Sequence, residues 1–146
     1  MSSTTVSRLI EAPRAKIYRA CLDPDAIARW RVPDNMTATV HRFDGEGYRM
    51  SLTYKDAAPG KSGGSTDTFE GRFVELVPDE KIVEMIRFES RDASFAGEMR
   101  VTTLLADAGS GTEVTIVTDD LPAGVQPEDN EEGCRQSLAK LAKLFG

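Results

Sequence analysis

A chain of 146 residues, 40% hydrophobic and 29% charged, has the length and make-up of one globular domain spanning 1–146 with a packed core. Its net charge of −6 makes nucleic acid and anionic membrane poor partners, because phosphate contacts need clustered Lys and Arg. Only two cysteines occur, Cys21 and Cys134, and the polar start of the chain leads into no apolar run suited to a signal peptide or membrane span. A reduced, cytoplasmic protein is therefore expected.

In chain order, residues 4–11 read as a strand, with Val6, Arg8 and Ile10 on one face and Ser7 and Leu9 on the other. Pro13 fits the first position of a helix that carries Ile17, Tyr18, Cys21 and Leu22 at helical spacing. Asp23-Pro24 repeats the start signal, Asp23 as N-cap, for a second short helix with Ile27 and Trp30 on one side, ending before Pro33. From Met36 the period changes to two. Residues 37–43 and 48–54 form a hairpin around Asp44-Gly45-Glu46-Gly47, and Tyr48, Met50, Leu52 and Tyr54 alternate with Arg49, Ser51 and Thr53. Residues 56–65 (DAAPGKSGGS) offer no apolar anchor larger than Ala and predict a mobile loop. Residues 66–76 form a strand with Phe69 and Phe73 on one face, Pro78-Asp79 turns the chain, and residues 81–89 return. After a loop at 91–96, residues 99–105 and 112–118 make a last hairpin around 107–111.

The final stretch, residues 127–146, carries the strongest helix signal. Cys134, Leu138, Leu141, Ala142 and Phe145 make one apolar stripe, with acid in the first turns and base in the last. Such a stripe must be buried, and what precedes it is mostly strand. The order strand, two short helices, six strands, long helix predicts an α+β fold: a curved antiparallel meander wrapped around the C-terminal helix.

This pattern resembles the helix-grip fold of the START-like (SRPBCC), birch-allergen-like superfamily. Within it the chain is similar to bacterial homologues of the activator of heat-shock-protein-90 ATPase. The resemblance is carried by residues 12–30 (APRAKIYRACLDPDAIARW), Gly71-Arg72-Phe73-Val74-Glu75-Leu76-Val77-Pro78, Gly111-Thr112, Glu132-Gly133 and Ser137-Leu138-Ala139-Lys140-Leu141. Two positions depart from it. Cys134 stands where the family usually has Trp, and Arg31 where an aromatic residue or Gly usually follows Trp30. Both changes imply a roomier or wetter interior. The resemblance implies a cavity between helix and sheet but no particular reaction, since the superfamily hosts cyclases, hydrolases, lipid carriers and chaperone accessory domains.

The residues themselves show little catalytic chemistry. His41 is the only histidine and reads as a surface imidazole in a strand, so no metal set and no Ser-His-Asp set is expected. Gly60-Lys61-Ser62 matches the tail of a phosphate loop, but Lys55 stands where its leading glycine belongs. Neither cofactor nor metal is expected. What remains is an apolar, aromatic inner surface. Its expected cavity-lining residues are Trp30, Tyr48, Met50, Leu52, Tyr54, Phe69, Phe73, Glu84, Ile86, Phe88, Met99, Val101, Cys134, Leu138 and Leu141. The ordinary alternative is that these side chains simply fill the core.

Glu84 stands out among them. Ile82, Ile86 and Phe88 share a face with it, while Val83 and Met85 lie on the other. If the first set faces the helix, Glu84 must find a partner or keep its proton, with Tyr48 and Tyr54 as candidate donors. A surface position, near the strand end or beside a bulge, is the ordinary expectation. The expected function is a binding module for a small hydrophobic or aromatic molecule, as monomer or homodimer. The alternatives are a chaperone-associated accessory protein and a cyclase- or hydrolase-type enzyme using the same cavity.

Overall fold

A computed structural model describes residues 2–56 and 58–146. Met1 and Ala57, the latter in the loop expected at 56–65, lie outside the described residues. The element order is β1 (Thr4–Ile10), α1 (Arg14–Cys21), α2 (Pro24–Trp30), β2 (Met36–Phe43), β3 (Gly47–Tyr54), β4 (Thr66–Val77), β5 (Lys81–Phe88), a 3-10 turn (Ala93–Phe95), β6 (Met99–Ala108), β7 (Gly111–Asp119) and α3 (Pro127–Lys143). The strands form one seven-stranded antiparallel sheet in the order β1-β7-β6-β5-β4-β3-β2. The α+β helix-grip architecture is thus the one observed: the sheet curls around α3, with two short helices after the first strand. Among the described residues, no helix is long and apolar enough to cross a membrane.

Local signals set most boundaries. The Asp23 carboxylate accepts from Asp25 N at 3.0 Å and Pro24 opens α2, as a capped helix start requires. Pro13 differs from expectation by one position. It is the N-cap of α1, extended at φ −67° and ψ 150°, and its carbonyl accepts from Lys16 N and Ile17 N. The last hairpin is tighter than expected, since Ala108 pairs with Gly111 and only Gly109-Ser110 lie between. Gly109 supplies the positive φ, 62°, that so short a turn needs. In α3 the stripe points inward, leaving Leu138 and Leu141 without exposed surface.

The β3–β4 loop is better anchored than its composition predicts. Its distal half is tied down through polar groups. Lys61 donates to Asp67 twice, from its backbone N at 2.6 Å and from Nζ at 2.9 Å. Ser62 Oγ accepts from Thr68 N at 2.7 Å, and Ser62 N donates to Thr66 O at 2.9 Å. Asp67 faces the interior and needs these donors, a demand that the loop's own composition does not reveal.

Candidate functional site

The site begins with the pleat of β5. Ile82, Glu84 and Ile86 share the concave face, and Glu84 lies in a row with Phe73 of β4, Val101 of β6 and Thr118 of β7. A bulge at Phe73–Glu75 does sit opposite Glu84, yet Glu84 is only 3% exposed. The expected surface position is therefore overturned. The carboxylate faces inward, and Tyr48 O–H donates to its Oε1 at 2.5 Å. Tyr54, the other candidate donor, makes no hydrogen bond with it among the described residues.

Tyr48 reaches Glu84 because Gly71 lets it. Tyr48 of β3 pairs with Gly71 of β4, which pairs with Ile86 of β5. A Cβ at position 71 would lie 2.4 Å from Tyr48 Cζ and 2.5 Å from its hydroxyl, so only glycine leaves room for the ring to cross β4. Phe43, Phe69 and Phe73 then hold that ring, with centroids 6.0, 6.2 and 5.8 Å away. The third member is Arg31, the C-cap of α2, where the helix stops before Pro33. One terminal N–H of its guanidinium donates to the same Glu84 Oε1 at 3.0 Å, and its Cζ stands 5.3 Å from the Tyr48 ring centroid.

Arg31 and Glu84 border a cavity of about 540 Å³ between α3 and the sheet. Its walls are mostly apolar, with Trp30, Leu52, Phe69, Ile82, Ile86, Phe88, Met99, Val101 and Ile116 among them. Exposed Asn35, Asp129 and Glu132 mark its rim, between the α2–β2 connection and the first turns of α3. Lys61 and Asp67 form a second ion pair in the wall, and Lys61 Nζ lies 5.3 Å from the Phe88 ring centroid and 5.7 Å from that of Phe95.

Burial governs the titration of the cluster. It pushes the Cys21 thiol up to about 12, with the Arg31 charge acting against this and Glu84 adding to it. It likewise raises Cys134, against Arg31 and a hydrogen bond with Thr118. Neither thiol is a ready nucleophile at neutral pH. The Tyr48 hydroxyl is held well above its ordinary value, chiefly by burial, with the Arg31 charge acting against this and Glu84 adding to it. For Arg31, burial opposes the charge but Glu84 and Tyr48 more than compensate, and the guanidinium is held above its ordinary value.

Comparison with known proteins places this geometry. The family model described as activator of Hsp90 ATPase homolog 1-like protein matches residues 11–146. The chain belongs to that family. A solved structure from Chromobacterium violaceum is 34% identical, with 97% of this chain and 95% of that one covered and a TM-score of 0.87. An AHSA1-like protein from Aeromonas hydrophila, 20% identical over 97% and 90% of the two chains with a TM-score of 0.71, shares the fold. So does a protein from Mycobacterium smegmatis, 17% identical over 99% and 90%, TM-score 0.77. No curated protein matches.

Within this Hsp90-ATPase-activator-like fold, Trp30, Leu52, Tyr54, Phe69, Glu84, Ile86, Phe88, Met99, Val101 and Cys134 border the cavity. Tyr48, Met50, Phe73, Leu138 and Leu141 do not: the first two and the two leucines belong to the packed core, and Phe73 packs against it. The period of a strand or helix tells which side chains point inward, but not whether they meet a void or a neighbour. Arg31, Lys61 and Asp67 are additions. Arg31 carried one signal, its departure from the family's aromatic or Gly after Trp30; the Lys61–Asp67 pair carried none. His41 is exposed, with Nε2 2.7 Å from Ser51 Oγ on the far side of the sheet.

Proposed function

We propose that this protein binds a small, largely apolar molecule in the cavity between α3 and the sheet. One observation carries the reading: an apolar-walled space of about 540 Å³ in which Arg31 and Glu84 converge with the bracing Tyr48. Small-molecule sites have this size and this division between apolar walls and a few placed polar groups. A buried ion pair returns little net stability for its desolvation, so one set against open space suits recognition better than structure. The free thiols of Cys21 and Cys134 suit a cytoplasmic setting.

The test is native mass spectrometry of the purified protein, followed by thermal melts against a panel of apolar molecules. A retained small mass is expected, or a ligand that at about a hundred times its Kd raises Tm by roughly 5–10 °C. A protein that stays empty, is stabilised by nothing in the panel and yet retains a chaperone would shift support to the accessory role that the family description names.

A further inference from the structure

Within the proposed cavity, the bonding of Glu84 is one-sided. Arg31 and Tyr48 both donate to Oε1. No donor among the described residues reaches Oε2. The same residues contain no fully buried side-chain oxygen or nitrogen that lacks a partner. Glu84 lines the cavity while only 3% of its surface is exposed, so Oε2 has its opening there. Arg31 lines the same space with 20% of its side chain exposed, and only one of its terminal nitrogens is committed to Glu84. A guanidinium carries five N–H donors, so several remain.

We infer that Glu84 Oε2 and the uncommitted N–H groups of Arg31 form a subsite for a neutral headgroup that both donates and accepts, such as a hydroxyl or an amide, on an apolar body. The inference rests on the binding reading above and narrows it. The ion pair is neutral as a whole, so it offers no net charge to an anion, and the near carboxylate repels one. An apolar ligand without a donor would cover Oε2 and leave it desolvated and unpaired. A ligand O–H pointed at Oε2 avoids that loss, and its own oxygen can accept from Arg31. The second ion pair does not compete for the headgroup, because Lys61 occupies both Asp67 oxygens.

The experiment compares naphthol, methylnaphthalene and naphthoate, substituted at the same ring position, by competition against a fluorescent apolar probe. The wild-type protein should bind naphthol at least about ten-fold tighter than methylnaphthalene, the scale of one hydrogen bond to a charged group. Naphthoate should bind no better than methylnaphthalene. In Glu84→Gln the Arg31 charge loses its counter-ion, so naphthoate should overtake naphthol. Equal binding of naphthol and methylnaphthalene, or wild-type preference for naphthoate, would overturn the subsite and leave the cavity reading standing. Binding of none of the three would overturn both. The wild-type series decides even if the variant does not fold.

Discussion

Gly71→Ala is the sharpest test of how the site is built. Gly71 has no positive φ, so alanine meets no backbone penalty there. Replacing glycine in a strand would ordinarily stabilise by about 0.4–1 kcal/mol through the unfolded chain. The structure predicts the opposite sign. The new Cβ would stand 2.4–2.5 Å from three atoms of the Tyr48 side chain, well inside van der Waals contact. The ring cannot simply slide away, because Tyr48 is 2% exposed and packed among Phe43, Phe69 and Phe73. Overpacking of this kind costs about 1–3 kcal/mol. The displaced ring would also surrender its hydrogen bond to Glu84, worth about 1.5–3 kcal/mol for a charged acceptor. Set against the gain from replacing glycine, a net loss of about 2–5 kcal/mol corresponds to a fall in Tm of roughly 4–20 °C for a chain of this size. Denaturant unfolding of Gly71→Ala, Tyr48→Leu and the double variant separates the causes. With the ring gone, alanine at 71 should cost less than about 1 kcal/mol, so the cycle should show strong coupling. A stabilised Gly71→Ala, or one with the same penalty beside Leu at 48, would refute the account of why Tyr48 reaches Glu84.

Other expectations follow from packing and charge. Leu138→Ala and Leu141→Ala should each destabilise by about 2–5 kcal/mol in denaturant melts, since both side chains are wholly buried under α3. Asp67→Asn removes the charge that Lys61 holds from two atoms, and amide exchange at Lys61 and Ser62 should quicken by about ten-fold while β5 is unaffected. The raised Cys21 thiol predicts an alkaline loss of stability. Its ordinary value is 9.0 and its folded value about 12, so the unfolded chain sheds this proton first. Stability from this group is complete below pH 9 and declines from there to about pH 12, and Cys21→Ala should flatten that limb in melts across the range.

Much of the fold was legible because its signals are local. The α3 stripe, the period change at Met36 and the capped start of α2 each describe their own neighbourhood, and the observed elements follow them. Less legible was β1. Arg8 shares the parity of Val6 and Ile10 yet is exposed, while its pairing partner Val114 is buried. No local pattern says that the first strand returns to lie beside the last. The β3–β4 loop is poorly legible for a related reason. Its anchor, Asp67, lies outside the loop and holds it through charge, so the lack of apolar side chains within the loop does not mean the lack of a hold.

The candidate site shows the same boundary more sharply. Glu84 could be found because it sits inside an alternating strand, where the neighbours Ile82 and Ile86 fix its direction. Arg31 could not, because the C-cap of a short helix has no period to give its side chain a direction. Its charge alone reads as surface. Glu84 and Arg31 make sense only when the two are considered together. An inward carboxylate at 84 needs a cation, and a residue just past α2 is placed to deliver one, while Gly71 clears the path for Tyr48 to supply the second hydrogen bond. Both donors, Arg31 and Tyr48, meet on a single oxygen, Glu84 Oε1. A cluster built only for stability would gain from spreading its donors over both carboxylate oxygens, since a desolvated, unpaired oxygen costs free energy. Holding one oxygen twice and leaving the other to the cavity is instead the arrangement of a positioned acceptor. On the binding reading proposed above, that distinguishes a polar group that merely survives in the interior from one kept ready for a ligand.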